Sequence, residues 1–273
     1  KMIQNILLFL VLLISCSTIT SGWKIINGTR AIMHEYPQMV SIKVQGSHSC
    51  GGTLLNGNTV LTAAHCVWSM RNWNLNTFKS YSMKIYLGEY DLYQMYGVEK
   101  IFQVTKVIIH PSYTSDFAYV YGNDVALIKF DGYVSNTQYN YIKYGELDLN
   151  SITKPGDRCE VVGWGSMLPP GQDTSRFLQK AAINILSTSE CSRIFTNVWY
   201  VASNVCAGSG SLSTSACRGD SGGPLFCTDG RRHHIQVGIV SYGQVPCGQA
   251  NVPTVFTRVS EVARWINQNA NLN

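Results

Sequence analysis

Charge is scarce in this chain: Asp, Glu, Lys and Arg make up 14% of 273 residues, and the formal net charge is only +5. That balance is too mild and too evenly spread to mark a nucleic-acid footprint or a polybasic membrane anchor. Long apolar runs are missing as well. The run Ile6 to Ile14 falls well short of the ~20 residues a bilayer span needs. No segment repeats, no low-complexity linker divides the chain, and no Cys-x-x-Cys pair offers zinc-site spacing. With 45% hydrophobic residues, disorder, collagen and coiled coil are excluded too.

What is present points to an oxidising compartment: nine Cys accompany 24 Gly and 15 Tyr. The Ile6–Ile14 run has signal-peptide length, and small residues at Ser15 and Ser17, or at Thr20 and Gly22, offer cleavage sites. Either site discards Cys16 and leaves eight Cys, an even number. A membrane anchor, or a lipidated Cys16 in Leu13-Ile14-Ser15-Cys16, is the alternative reading. The expectation is a secreted, extracellular protein with no membrane or nucleic-acid partner.

Short β-branched or aromatic runs alternate with Gly, Asn, Pro and Ser clusters. They are Met39–Val44, Thr59–Thr62, Met83–Leu87, Phe102–Ile109, Val125–Phe130, Cys159–Trp164, Gln236–Tyr242 and Thr254–Val259. This spacing predicts an all-β sandwich or barrel. Helical periodicity is convincing only near the end, where Ser260 is placed to cap a segment with Val262, Trp265 and Ile266 on one stripe. The stretches 68–81 and 112–121 read as long loops.

Three segments carry chemistry: Leu61-Thr62-Ala63-Ala64-His65-Cys66, Asn123-Asp124-Val125-Ala126-Leu127 and Gly219-Asp220-Ser221-Gly222-Gly223-Pro224. Taken singly each has an ordinary explanation: a structural His, a turn Asp, a glycine loop. Together, in the order His, Asp, Ser in a Cys-rich β protein, they resemble the chymotrypsin-like (trypsin-fold) secreted serine proteases. The resemblance runs from Ile25 to the end of the chain. It implies two packed antiparallel β-barrels with a C-terminal α-helix. Residues 1–24 would be signal plus short activation peptide and 25–273 the catalytic domain, with barrels at roughly 25–135 and 136–258 and the helix at roughly 260–270.

By that resemblance Ser221 is the nucleophile, His65 its general base and Asp124 the residue that fixes the imidazole tautomer. The residue types suit the task, since a hydroxyl is a poor nucleophile at neutral pH without an adjacent base, and only His titrates near pH 7 unaided. The amides of Gly219 and Ser221 would form the oxyanion hole, and Ser241 would hydrogen-bond Asp124. Protonation of His65 near ~6.5 would set the acid limb of activity.

Trp23-Lys24-Ile25-Ile26-Asn27-Gly28 resembles the family's activation site, with Asn27 where Gly is usual. It implies a zymogen cut after Lys24 by a trypsin-like protease. The Ile25 ammonium would then pair with Asp220 and fade as pH climbs through its raised pKa; before the cut, a latent Ser41–His48–Asp220 cluster is expected. The resemblance also implies disulfides Cys50–Cys66, Cys159–Cys227, Cys191–Cys206 and Cys217–Cys247, whereas spacing alone leaves 105 connectivities open.

The specificity pocket inherited this way has Ser215 at its floor, Ala216 beside it, and Gly243 and Thr254 as walls. A Ser cannot neutralise a buried cation, which disfavours cleavage after Lys or Arg. An uncharged hydrophobic P1 residue is expected, with elastase-like preference for small residues if Thr254 narrows the pocket. A non-catalytic homologue acting as a binding module is the rival class. Tyr121, among the aromatics Phe117 and Tyr119, would line the site preceding P1, and Arg218 would stand at the rim. Glu89 and Glu99 flank Asp91 in a segment like the calcium loop of some relatives, with Tyr96 replacing a usual carboxylate; no cofactor is required and calcium is an option. His233-His234 reads as surface, and Asn27-Gly28-Thr29 is the single glycosylation sequon. The partners implied are protein or peptide substrates, the activating protease and protease inhibitors, with a monomer as default.

Overall fold

The computed structural model describes residues 28–115, 122–167, 173–195, 202–210, 213–228 and 234–272. Its first barrel is built from β2 (Met39–Val44), β3 (Ser47–Asn56), β4 (Thr59–Thr62), β5 (Lys84–Leu87), β6 (Lys100–Ile109) and β7 (Ala126–Phe130), closed in the order β2-β3-β4-β7-β6-β5. A barrel leaves no strand edge unpaired, and all these pairings are antiparallel. Val40, Ile42, Leu54, Phe78, Met83, Ile85 and Ile128 fill its interior.

The second barrel uses β9 (Arg158–Gly163), β10 (Gln179–Ile185), β11 (Asn204–Gly208), β12 (Pro224–Thr228), β13 (His234–Tyr242) and β14 (Thr254–Arg258). The path β10-β11-β14-β13-β12-β9 closes because β9 also pairs with β10. Two short strands join this sheet from outside: β1 (Thr29–Arg30) on β10 and β8 (Glu146–Leu147) parallel to β13. The N-terminal end of the described chain is therefore stitched to the second barrel before it enters the first. Val161, Ile183, Val205, Leu225, Val237 and Phe256 form this second core.

The barrels meet over Tyr36, Met39, Tyr90, Val162, Trp164, Leu178 and Phe226. A second join comes from helix α3 (Val259–Ala270), which leaves the second barrel and lays Val262 and Ile266 against Leu55, Leu61, Val125 and Leu127 of the first. Asn56 Nδ2 donates to the carbonyl of Ala270, 2.5 Å away, and fastens the helix end.

The helix begins at Arg258 as N-cap, without a side-chain cap, so Ser260 does not cap it; Ser260 lies inside the first turn, and its hydroxyl has no partner among the described residues. The expected loop at 68–81 contains a 3-10 turn (Trp68–Met70) and helix α1 (Leu75–Ser80), capped where Asn74 Oδ1 accepts from the Thr77 amide. Helix α2 (Thr188–Ile194) opens on a reciprocal capping box between Ser187 and Glu190. Four disulfides are present: Cys50–Cys66, Cys159–Cys227, Cys191–Cys206 and Cys217–Cys247.

Candidate active site

β4 ends at Thr62, and two fully buried alanines carry the chain straight to His65, whose ring stands one-third exposed at the mouth of the inter-barrel cleft. Across the first barrel, Asn123 takes a left-handed turn (φ 55°), which Asn tolerates, and delivers Asp124 just before β7. The two residues are joined twice: the His65 amide donates to Asp124 Oδ1 at 2.9 Å, and His65 Nδ1 to Oδ2 at 2.7 Å. An ionised carboxylate only accepts, so Nδ1 carries the proton and Nε2 keeps its lone pair. Ser241 Oγ donates to Oδ2 at 2.6 Å, and Thr257 Oγ1 to the Asp124 carbonyl at 3.0 Å.

Burial alone would raise the Asp124 pKa, but the His65 charge and the His65 and Ser241 hydrogen bonds outweigh it and hold the group below the ordinary carboxylate value. For His65, burial pulls downward and the Asp124 charge and hydrogen bond pull upward; the net pKa lies above 6.5.

Ser221 comes from the second barrel, on the turn between Cys217 and β12. In that turn the amides of Asp220, Gly222 and Gly223 are spent on the carbonyls of Cys217, Val240 and Asp220, at 3.0, 2.9 and 2.9 Å. The amides of Gly219 and Ser221 have no partner among the described residues. Gly219 reaches this conformation at φ 96°, where a side chain would be strained. Its carbonyl accepts from His48 Nε2 at 2.9 Å, and His48 Nδ1 in turn accepts from Ser41 Oγ at 2.9 Å. Burial pulls the His48 pKa down to about 4, so the ring is neutral in this relay.

The expected Ser41–His48–Asp220 cluster thus ends differently: His48 meets the Gly219 carbonyl, not the Asp220 carboxylate. Asp220 is fully buried, its Oδ1 accepting from the Gly165 amide at 2.7 Å and its Oδ2 from the Cys217 amide at 2.9 Å. A Cβ on Gly165 would lie 2.1 Å from Oδ2, so glycine is required for this approach. With no cation beside it among the described residues, burial pushes Asp220 up to about 7.

His65, Asp124 and Ser221 line one cleft of about 450 Å³ that continues past Ala216, Gly243 and Thr254. Among the described residues no hydrogen bond joins Ser221 Oγ to His65; such contacts are commonly loose in free enzymes and close on substrate. Ser215 is buried and its Oγ accepts from the Gly248 amide at 2.9 Å, while Thr254 Oγ1 accepts from the Ala216 amide at 3.1 Å. Beside Gly243 the space is open, with only Thr254 Cα at 4.0 Å from a Cβ built there. Exposed Arg218 is at the rim.

Comparison with known proteins fits this geometry. The trypsin family model matches residues 25–266. The chain belongs to the trypsin family. Rat (Rattus norvegicus) granzyme B is 33% identical over 267 residues, covering 96% of this chain and 97% of the relative. Chymotrypsin-like elastase family member 1 of the dog (Canis lupus familiaris) is 32% identical over 253 residues, covering 89% and 91%. The solved structure of neuropsin, a serine protease expressed in the limbic system of mouse brain, superposes with a TM-score of 0.76 at 30% identity, covering 89% of this chain and 99% of that one. This trypsin-family chain is a serine endopeptidase with the two-barrel architecture that its sequence resemblance implies.

Some expected site residues fall outside the described ones: Lys24, Ile25, Asn27, Phe117, Tyr119, Tyr121 and His233. Others are redistributed. Of the aromatics in the stretch read as a loop at 68–81, Trp68 lines the cleft, edge-on to Tyr113, while Phe78 is core and Trp73 packs on it. Tyr113 itself is a cleft residue that the sequence reading does not single out, and only its place shortly after the end of β6 hints at it. His234 stacks on Tyr36 at 4.9 Å between ring centroids. The cluster Cys50, His65, Cys66 has metal-like spacing, but both sulfurs are committed to a disulfide.

Proposed function

We propose that this endopeptidase cleaves after uncharged hydrophobic residues through an acyl-enzyme formed on Ser221, and that it is a secreted zymogen activated by cleavage after Lys24. The observation that carries the reading is that the Gly219 and Ser221 amides have no partner among the described residues, while the Asp220, Gly222 and Gly223 amides of the same turn are used, beside a His65 whose Nε2 is free to accept a proton. In the proposed sequence Ser221 Oγ attacks the substrate carbonyl carbon as Nε2 takes its proton. The developing oxyanion is met by the Gly219 and Ser221 amides, each such donor being worth about 3 kcal/mol in the transition state. His65 then returns the proton to the leaving amine, and water repeats the cycle on the ester.

The pocket favours Leu, Met or Phe. Thr254 lines the cleft and brings no charge, and neither does Ser215, which is buried and not among the cleft's lining residues; both hydroxyls are engaged with backbone amides, and the Gly243 side is open. Control by the Thr254 wall, with preference for Ala or Val, is the second reading, favoured by its burial at the pocket side. One methyl of depth is worth only ~1 to 3 kcal/mol, so the two differ by a modest ratio. Arg218 would draw acidic residues to the primed side. A binding module without catalysis is disfavoured by the intact Ser221, His65 and Asp124.

The test is to cut the purified chain at Lys24 with trypsin, remove the trypsin, and assay peptides that differ only at P1, with Ser221→Ala as control. Faster turnover of Phe and Leu supports the open pocket, and Ala or Val in their place assigns control to Thr254. Hydrolysis after Lys or Arg that the control lacks would sink the pocket reading. Failure of a fluorophosphonate probe to label Ser221 would sink the catalytic one.

A further inference from the structure

The loop from Gly88 to Glu99 buries three carboxylates. Glu89, Asp91 and Glu99 are 6%, 1% and 7% exposed. Its resemblance to a calcium loop raises the question of whether calcium fits. Calcium takes six to eight oxygens at about 2.3–2.6 Å. Among the described residues these carboxylates do not converge as a three-ligand set. Each is instead engaged within the protein. Asp91 receives the fork of Arg176, Nε at 3.0 Å and Nη2 at 2.8 Å. Glu99 Oε1 accepts from the Tyr96 amide at 2.8 Å. Glu89 Oε1 holds Lys43 Nζ at 2.5 Å, in a pair whose side chains are 7% and 2% exposed.

Val40, Ile42 and Val44 share the core face of β2, so Lys43 lies on the opposite face, where the pairing with β3 shifts register between Ile42 and Lys43. The ammonium also lies 4.3 Å from the centroid of the Tyr86 ring on β5. A calcium ion against Glu89 would meet this buried positive charge.

We propose that the Lys43 ammonium is the resident cation of the 88–99 loop, so that the loop is held by the protein's own charge and its stability does not depend on calcium. The donor set does not fit the metal that the loop's sequence suggests. Oε2 of Glu89 and Oε2 of Glu99 are buried with no hydrogen-bond partner among the described residues. Lys43 at Glu89 and Arg176 at Asp91 therefore set two cations against three carboxylates.

The experiment measures thermal unfolding of the full chain, in a Ser221→Ala background that removes self-digestion, with EDTA or with millimolar calcium. Terbium luminescence sensitised by nearby tyrosines serves as a direct binding readout. The expected result is one melting temperature in both buffers and no saturable terbium signal. Lys43→Met, which strands the Glu89 charge, should lower the melting temperature in EDTA by about 5–10 °C. Glu99→Gln keeps the acceptor for Tyr96 and removes an uncompensated charge, so it should melt no lower than the parent. The proposal is overturned if calcium raises the parent's melting temperature and Glu99→Gln abolishes that rise, or if Lys43→Met melts with the parent in EDTA. The parent's calcium response and the Glu99→Gln melt decide the matter even where Lys43→Met does not fold.

Discussion

Two buried carboxylates flank Ser221, Asp124 from the first barrel and Asp220 from the second, and the same burial leaves them in opposite states. Asp124 has the His65 ring, the His65 amide and Ser241 around it, and its pKa lies below the ordinary value. Asp220 has two backbone amides and is pushed up to about 7. Hydrogen bonds from neutral donors thus do not offset full desolvation here, whereas a group that can carry positive charge does. The first pocket is complete as it stands. The second holds its carboxylate with no cation beside it among the described residues, and the activation proposed above would bring the Ile25 ammonium to it.

The largest break in this comparison is Asp124→Asn, which keeps the shape and removes the charge. We expect kcat to fall about 10⁴-fold, a size carried over from the equivalent change in the family's reference triad. A loss under about tenfold would mean that Asp124 is not the partner that orients His65. Asp220→Asn should cost about 10²–10³-fold in activity after cleavage at Lys24, the scale of losing an oxyanion donor. Normal activity of that variant would remove the pairing with Ile25.

A smaller effect is the pH dependence of the uncut chain. Asp220 titrates near 7 in the fold and near ~3.9 unfolded, so the folded form binds the proton more tightly. Its contribution to stability is whole at low pH and is lost as pH rises from about 4 to 7, by about 2 kcal/mol between pH 5 and 7. Urea unfolding of a Lys24→Gln, Ser221→Ala chain at the two pH values, with and without Asp220→Asn, measures it. Equal slopes in the two chains would show that Asp220 is not the group responsible.

The contrast between the pockets was only half legible in the sequence. His65, Asp124 and Ser221 sit in contiguous segments, and the chemistry proposed for them runs through their side chains, so residue order points to them. The Asp220 pocket is made of backbone: the Gly165 and Cys217 amides, and the Gly219 carbonyl that takes His48 away from the expected carboxylate. Backbone partners leave no letter in a sequence. The strands divide in the same way. β2, β4, β7 and β9 announce themselves through branched residues, but β3 carries Gly51 and Gly52, β10 carries Ala181 and Ala182, and β12 starts on Pro224. β12 is buried on four successive residues, which erases the two-residue alternation a half-exposed strand would show. The sequence reading does not place helix α2, although its capping box, Ser187 with Glu190, stands in plain sequence.

The finest test separates the carboxylates by charge alone. His65 must be neutral to accept the Ser221 proton, so activity falls as pH drops through its pKa, which Asp124 holds above 6.5. The acid limb of kcat/KM should therefore have its midpoint above the unperturbed imidazole value near 6.5. In the residual activity of Asp124→Asn the charge is gone and the burial remains, and burial pulls an imidazole down, so the limb should move to lower pH. Asp220→Asn should leave the limb where it is, because Asp220 is not among the groups that shift His65. A limb that moves equally in both variants would show that the two pockets share one electrostatic environment, and the separation drawn between them would fall.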